Sequence, residues 1–397
     1  MWRKLAPVLL CMLLLTGCWD RLELNDRAIL LGTGVDLLED GRYMMTANIV
    51  VPLAAGSKGG NGGTPGFLTE TAVGKDLTDA KQNMQKKLSR VAFSGHRRNI
   101  FIGESLARHG LSHLMDQYAR SPDVRPRSNI YVVKGGTAQQ AMSLFYKLET
   151  NPSIAVQKIQ EKVGAPISRS LLDFFILINK DNCGVMPSLK LVDPEVEPVK
   201  KTDNDSPPQP TLEIEGIGIF NEELKLVGYM EMDDFWVRLW VTNRLKHRDQ
   251  TESIGGKEDT VSIRLTHLKS KVTPEFNEDG VSFNILLKAK GEVIENNTAL
   301  ALADEQAVKD LEQQFEKILQ SRAEQSIKKI QTGYGLDIFG LGDSIRMFHP
   351  YKWRRLEPNW ENTFKKAEIK VRVDLNVRGT GLDLDSLVPE RSREDSQ

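Results

Sequence analysis

Three stretches of this chain alternate apolar and polar residues with a period of two. They are Val261-Ile263-Leu265, Val281-Phe283-Ile285-Leu287 and Ile369-Val371-Val373-Leu375-Val377. That period predicts strands with one face buried and the other wet. Between the second and third lies a different pattern, in which Leu311, Phe315, Ile318, Leu319, Ile327 and Ile330 fall on one stripe at helical spacing. A long helix is predicted over 302–331. Together these give an α+β domain at 257–384, an antiparallel sheet covered by that helix, followed by a polar tail at 385–397.

Earlier in the chain, apolar strand-like runs alternate with amphipathic stretches. Ala28–Asp36, Tyr43–Val51, Phe67–Val73, Asn99–Gly103 and Asn129–Val133 read as strands. Asp76–Arg90 reads as a helix with Leu77, Ala80, Met84 and Leu88 on one stripe, and 104–119 as a helix broken at Gly110. Thr137, Asn151-Pro152 and Ser168 each suit a helix start. The result is a mixed α/β domain over 18–192. Residues 193–210 carry five prolines among charged residues and no period, which marks a linker or exposed loop. Over 211–256, a hairpin around Asn221-Glu222-Glu223 and a helix with Phe235, Trp236, Leu239 and Trp240 make a small middle unit that needs a neighbour to bury its rings. The fold class is therefore multidomain α+β, with mixed and antiparallel sheets and packed helices.

The N-terminus has its own pattern. Arg3 and Lys4 precede a mostly apolar run, Leu5–Leu15, and then Leu15-Thr16-Gly17-Cys18. A basic end, a short apolar core and small residues before a cut site form a secretory signal over 1–17. The core falls well short of the ~20 residues that a spanning helix needs. A cysteine at this place is the bacterial lipobox, so Cys18 is the expected lipid attachment site, and its two acyl chains would hold the body on a membrane's outer face. Composition adds little: 40% of residues are hydrophobic and 27% charged, with a net charge of −1. That is ordinary for folded domains and offers no clustered basic surface for nucleic acid. With Cys11 in the signal and Cys18 acylated, Cys183 is left without a partner for an intramolecular disulfide.

Candidate chemistry is sparse. His109 and His113 stand four apart but lack a carboxylate in an H-E-x-x-H arrangement, so a solvated helix end is favoured over a metal pair. The glycine-rich stretch 56–66 lacks the Gly-Lys-Ser/Thr ending of a phosphate loop. Ser94-Gly95-His96 lacks the glycine pattern of a nucleophile elbow, and Cys183 reads as a buried thiol. His96, Arg97 and Arg98 read as a charged strand entry, with an anion or acidic partner as the sharper alternative. The unusual stretch is Gly335–Gly342 followed by Phe348–Arg355 and Trp360. Its aromatics and cations suit a packed connector first and a partner surface second, with Trp353, Arg354, Arg355 and Trp360 as the candidate contact residues. No catalytic, metal or cofactor site is predicted.

Three groups of residues together resemble the Ger(x)C family, the lipoprotein C subunits of bacterial spore germinant receptors. The first is Gly17-Cys18-Trp19-Asp20 with Glu23, Asn25 and Asp26, then Leu31-Gly32 and Gly34-Val35-Asp36. The second is Phe93-Ser94-Gly95-His96 with Ile100–Glu104, then Arg120-Ser121-Pro122-Asp123 and Arg125. The third is Asp337–Gly342 with Arg346, Pro350, Trp353 and Trp360, then the final strand and Gly379-Thr380-Gly381. The resemblance implies a three-domain body without enzymatic activity, on the outer surface of the spore's inner membrane. It implies work beside two integral membrane subunits, A and B, in the response to nutrients. Only Cys18 is carried over as a site. A solute-capturing lipoprotein serving a transporter is the alternative, and it requires a deep ligand cleft.

Overall fold

The computed structural model describes residue 23 and residues 26–51, 66–122, 124–144, 146, 149, 151–162, 170–181, 183–193, 210–254, 256, 259–277 and 280–377. Cys18, Ser168, the tail and nearly all of the glycine-rich and proline-rich stretches lie outside these residues.

The first sheet is built around β1 (Arg27–Leu37), which is largely buried. On one side β1 pairs antiparallel with β2 (Tyr43–Val50), and β2 with β3 (Phe67–Gly74). On the other side β1, β5 (Asn99–Gly103), β6 (Asn129–Lys134) and β7 (Gly184–Val192) run parallel, and β4 (Val91–Phe93) lies beside the start of β1. Parallel neighbours need crossovers, and helices supply them. α1 (Leu77–Gln85) is capped by Asp76, whose side chain accepts from the Asp79 amide. α2 (Glu104–His109) and α3 (Ser112–Arg120) are separated at Gly110, which sits at φ +125°. α4 (Ala138–Ser143), α5 (Pro152–Lys162) and α6 (Leu171–Asp181) join β6 to β7. Thr137 forms a capping box with Gln140, as its position predicts, and α4 ends at Ser143. Asp36 of β1 also holds the start of α4: its carboxylate accepts from the amides of Ala138 (2.7 Å) and Gln139 (3.0 Å). Burial pushes the Asp36 pKa up, and the two amides pull it back.

The predicted middle hairpin exists, as β8 (Thr211–Phe220) and β9 (Leu226–Glu231), but it does not form a sheet of its own. β8 pairs antiparallel with β7, so the hairpin completes a nine-stranded sheet. α7 (Met232–Val241) follows. It is buried all round from Phe235 to Val241, including Arg238, because it packs on β8 and on the second sheet at once.

The second sheet runs β10 (His247–Ser253), β11 (Thr260–Asn277), β12 (Gly280–Asn296) and β13 (Glu368–Val377). The first three are antiparallel, but β13 pairs parallel with β12, which corrects the all-antiparallel expectation. The reason is the connection: α8 (Glu305–Gly333) and the short helices after it form a crossover, which brings the chain back in the direction it left. α8 starts at Asp304, whose carboxylate caps the Gln306 amide. Its stripe of Leu311, Phe315, Leu319, Ile327 and Ile330 is buried with the inward residues of β11, β12 and β13. One continuous apolar core runs from Phe101 and Tyr131 through Trp236 and Trp240 to Phe283 and Phe315. The two sheets therefore share α7, and among the described residues one apolar core reaches into both.

Candidate functional site: the clasp between the sheets

From the end of α8 the chain returns to β13 through α9 (Leu341–Phe348), α10 (Pro350–Leu356), a short 3-10 turn and α11 (Trp360–Lys366). The return is organised by Asp337, which is buried. Its carboxylate accepts from the amides of Leu341 (3.0 Å) and Gly342 (2.7 Å) and from Trp360 Nε1 (3.3 Å). Burial pushes its pKa up against those three donors. Gly340 enters α9 at φ +70°, where a side chain would be strained. Trp353 and Trp360 meet edge to face at 5.2 Å, and Trp360 also approaches the ring of Phe283 in β12. Both indoles lie on Gly342, where a Cβ would stand 2.8 Å from Trp353 and 3.0 Å from Trp360. Gly342→Ala should cost about 1–3 kcal/mol, as overpacked cores do. Urea unfolding checks this, and a variant as stable as the parent would show that the rings can shift.

The same segment fastens one sheet to the other. Arg238 Nε donates to the Ile338 carbonyl oxygen at 2.7 Å, tying it to α7. Lys180 of α6 pairs with Asp343, and Arg346 Nη2 donates to the Lys180 carbonyl oxygen at 2.7 Å. Cys183 is buried, its sulfur 3.8 Å from the Asp337 carbonyl oxygen. Tyr334 lies directly on Gly228 of β9. Beside this clasp is an open cleft of about 460 Å³, lined among others by Lys180, Arg238, Asp343 and Phe348.

The candidate contact residues divide. Trp353 is only 6% exposed, and Trp360 is half-buried with its ring turned inward, so both are packing residues. Arg354 and Arg355 point to solvent. The exposed apolar side chains of this segment are Met347 (71% exposed), Phe348 (67%) and Tyr351 (80%); the sequence reading includes Phe348 and Tyr351 in the stretch but does not name them as contact residues. The histidines are scattered. His109 ends α2 while His113 belongs to α3, His96 lies edge-on to Phe93, and His349 lies edge-on to Phe276. Among the described residues, no three His, Cys, Asp or Glu side chains gather as a metal site. Also among them, no helix is long and apolar enough to cross a membrane.

Two mixed sheets sharing one core, clasped by a Trp-rich return, define a class of two-part α+β proteins. Residues 20–191 match the spore germination protein N-terminal domain, and residues 215–381 match the spore germination B3/GerAC-like C-terminal domain. The chain belongs to this family of spore germination proteins. The second match begins inside β8, so the C-terminal family unit contributes strands to the first sheet. Spore germination protein KC of Bacillus subtilis (strain 168) is 24% identical over 94% of this chain and 95% of its own length. Spore germination protein B3 of the same organism is also 24% identical, over 95% and 98%. The crystal structure of the GerBC protein superposes with a TM-score of 0.58 and 20% identity, covering 87% of this chain and 96% of that one.

Proposed function

We propose that this chain is a non-catalytic, lipid-anchored subunit of a nutrient germinant receptor. It works beside the receptor's integral membrane A and B subunits on the outer face of the spore's inner membrane. The observation that carries this reading is the order and extent of the two family matches, which together span nearly the whole chain after the lipobox. Cys18 supplies the anchor. The clasp makes the two sheets one body, which suits a part that transmits or stabilises an arrangement of its partners. The test is a germination assay on spores lacking this chain, in a strain without sister receptors. Loss of response to some nutrients, with a trigger that bypasses nutrient receptors still effective, supports the reading. An undiminished nutrient response in that strain refutes it.

The partner-facing surface is assigned to Met347, Phe348 and Tyr351 with Arg354 and Arg355. Exposed aromatics beside a cation, as Tyr351 is beside Arg354 at 6.0 Å, favour a protein interface over bare solvent. Replacing Phe348 and Tyr351 together with Ala should cut recovery of the membrane subunits at least about tenfold on co-purification, as hot-spot truncations do. The melting temperature should hardly move, because both rings are already in water. Normal recovery of the complex would remove this surface from the proposal.

A further inference from the structure

Four strands of the first sheet, β1, β4, β5 and β6, run parallel and therefore start at the same end. That end is also where the chain arrives from Cys18. Arginines gather there. Arg98 precedes β5, Arg125 and Arg127 precede β6, and all three side chains are exposed. They line an open groove of about 350 Å³ together with Asn129, Gln157 of α5 and Arg97. Arg97 is buried against Thr33 and the Tyr118 ring, beneath the other three. Among the described residues, no carboxylate belongs to that lining.

The backbone under the exposed arginines is fixed. The Arg98 amide donates to the Leu31 carbonyl oxygen (2.8 Å), and the Arg98 carbonyl oxygen accepts from the Asn129 amide (2.7 Å). The Arg125 carbonyl oxygen accepts from the Ser128 amide (3.0 Å), which closes a turn, and the Pro126 carbonyl oxygen accepts from the Leu172 amide of α6 (2.9 Å). The sheet and α6 thus hold three like charges in one place. The acids described between the anchor and β1, Glu23 and Asp26, are matched in number by Arg27 and Arg90 beside the starts of β1 and β4. A concavity lined by one sign of charge concentrates the opposite sign. The net charge of −1 conceals this excess because it is local.

Distance decides what the groove meets first. Cys18 and Arg27 are nine positions apart, so the tether reaches at most about 30 Å. Arg98 bonds to β1 at Leu31, four positions beyond Arg27 and about 13 Å along the strand. The tether is longer than that offset, so this end of the sheet can lie on the bilayer that holds the lipid. Tethering raises the effective concentration of that surface, and a free anion or a separate protein gains nothing from it.

We propose that the groove of Arg98, Arg125 and Arg127 docks on anionic lipid headgroups and so sets which face the body turns to the membrane. The proposal rests on the anchor at Cys18. Each arginine beside an anionic surface is worth about fivefold, so three are worth on the order of a hundredfold. A single acyl chain, at roughly 10⁴ M⁻¹, already binds only marginally. The groove therefore orients the body, and the lipid attaches it.

The experiment reconstitutes the acylated full chain into vesicles of phosphatidylcholine, alone or mixed with phosphatidylglycerol. Phenylglyoxal, a neutral reagent, labels exposed arginines, and mass spectrometry gives the rate at each. At low salt, Arg98, Arg125 and Arg127 should label at least about fivefold more slowly on the mixed vesicles than on the neutral ones. The difference should vanish at high salt, because screening shortens the reach of charge to about 3 Å at 1 M. Arg354 and Arg355 on the clasp should label alike on both. Arg125→Gln with Arg127→Gln removes two of the three charges from exposed positions, and Arg98 should then be protected no more than about twofold. Equal labelling of the groove on both vesicles would overturn the proposal and leave the anchor intact. Undiminished protection of Arg98 in the double variant, or equal slowing at Arg354 and Arg355, would also overturn it. Slowing that appears only once the membrane subunits are added, whatever the lipid, would overturn it in favour of an acidic protein surface. A chain that does not float with neutral vesicles would remove the anchor, and the proposal with it.

Discussion

Asp337→Ala is expected to destabilise the protein by about 3–5 kcal/mol, since a buried donor left unsatisfied costs about 1–3 kcal/mol and three donors converge on this carboxylate. The Leu341 and Gly342 amides and Trp360 Nε1 would all lose their acceptor in a place that water does not reach. The individual costs do not simply add, because the freed start of α9 can relax. The damage should begin in the clasp. Trp353 and Trp360 pack on the residues that Asp337 orders, so their fluorescence should change before the sheets unfold in denaturant. A loss under about 1 kcal/mol, with unchanged Trp emission, would show that the carboxylate is not the organiser.

Asp337→Asn refines the test. The amide keeps one acceptor and turns a donor toward groups that are themselves donors. The pH dependence also has a defined sign. Burial raises the Asp337 pKa above its ordinary 3.8, so the folded state takes up a proton more readily than the unfolded one. Stability from this group is fully present below pH 3.8 and is lost as pH rises through the folded value. The advantage of the wild type over Asp337→Asn should therefore be larger at pH 3.8 than at pH 7.

The period-two strands and the caps at Asp76 and Thr137 could be found because their causes are local. A strand with one wet face must alternate, and an N-cap must sit next to its amides. β10 was hidden for the opposite reason. It is an edge strand in which Gln250 is the buried position, so it carries no apolar rhythm. The parallel placement of β13 depends on where the chain has travelled, not on its own residues. The middle hairpin was recognised as a hairpin but not as part of the first sheet, because its pairing partner β7 lies beyond a proline-rich segment. Within the clasp, the aromatic residues were visible, but their orientation was not. Trp353 is buried and Tyr351, two residues earlier, is the most exposed of the rings in this stretch, a contrast set by the packing of α10 on Gly342. Arg97 shows the limit most clearly. A run of His-Arg-Arg suggests a solvated strand entry. Its burial comes from Thr33 on β1 and Tyr118 on α3, distant in sequence and joined only by the sheet.

Cys18→Ala is expected to move the chain from the membrane to the soluble fraction and to abolish its part in the nutrient response. The argument is one of anchoring energy. Each buried CH₂ contributes about 0.8 kcal/mol, and a single acyl chain gives only marginal, reversible binding, whereas two hold stably. Nothing else in the described residues replaces them. No helix there can span a bilayer, and a net charge of −1 gives no overall attraction to anionic lipid. The measurement is fractionation in a strain that lacks the integral membrane subunits, with washes at low and high salt. That strain matters, because contacts through Phe348 and Tyr351 could otherwise keep an unacylated chain on the membrane. Release of the variant at both salts, with the wild type retained, is the expected result. Retention through the high-salt wash of a variant shown to have lost residues 1–17 would mean that residues after the lipobox bind the bilayer themselves, and the lipid-anchor reading would fall.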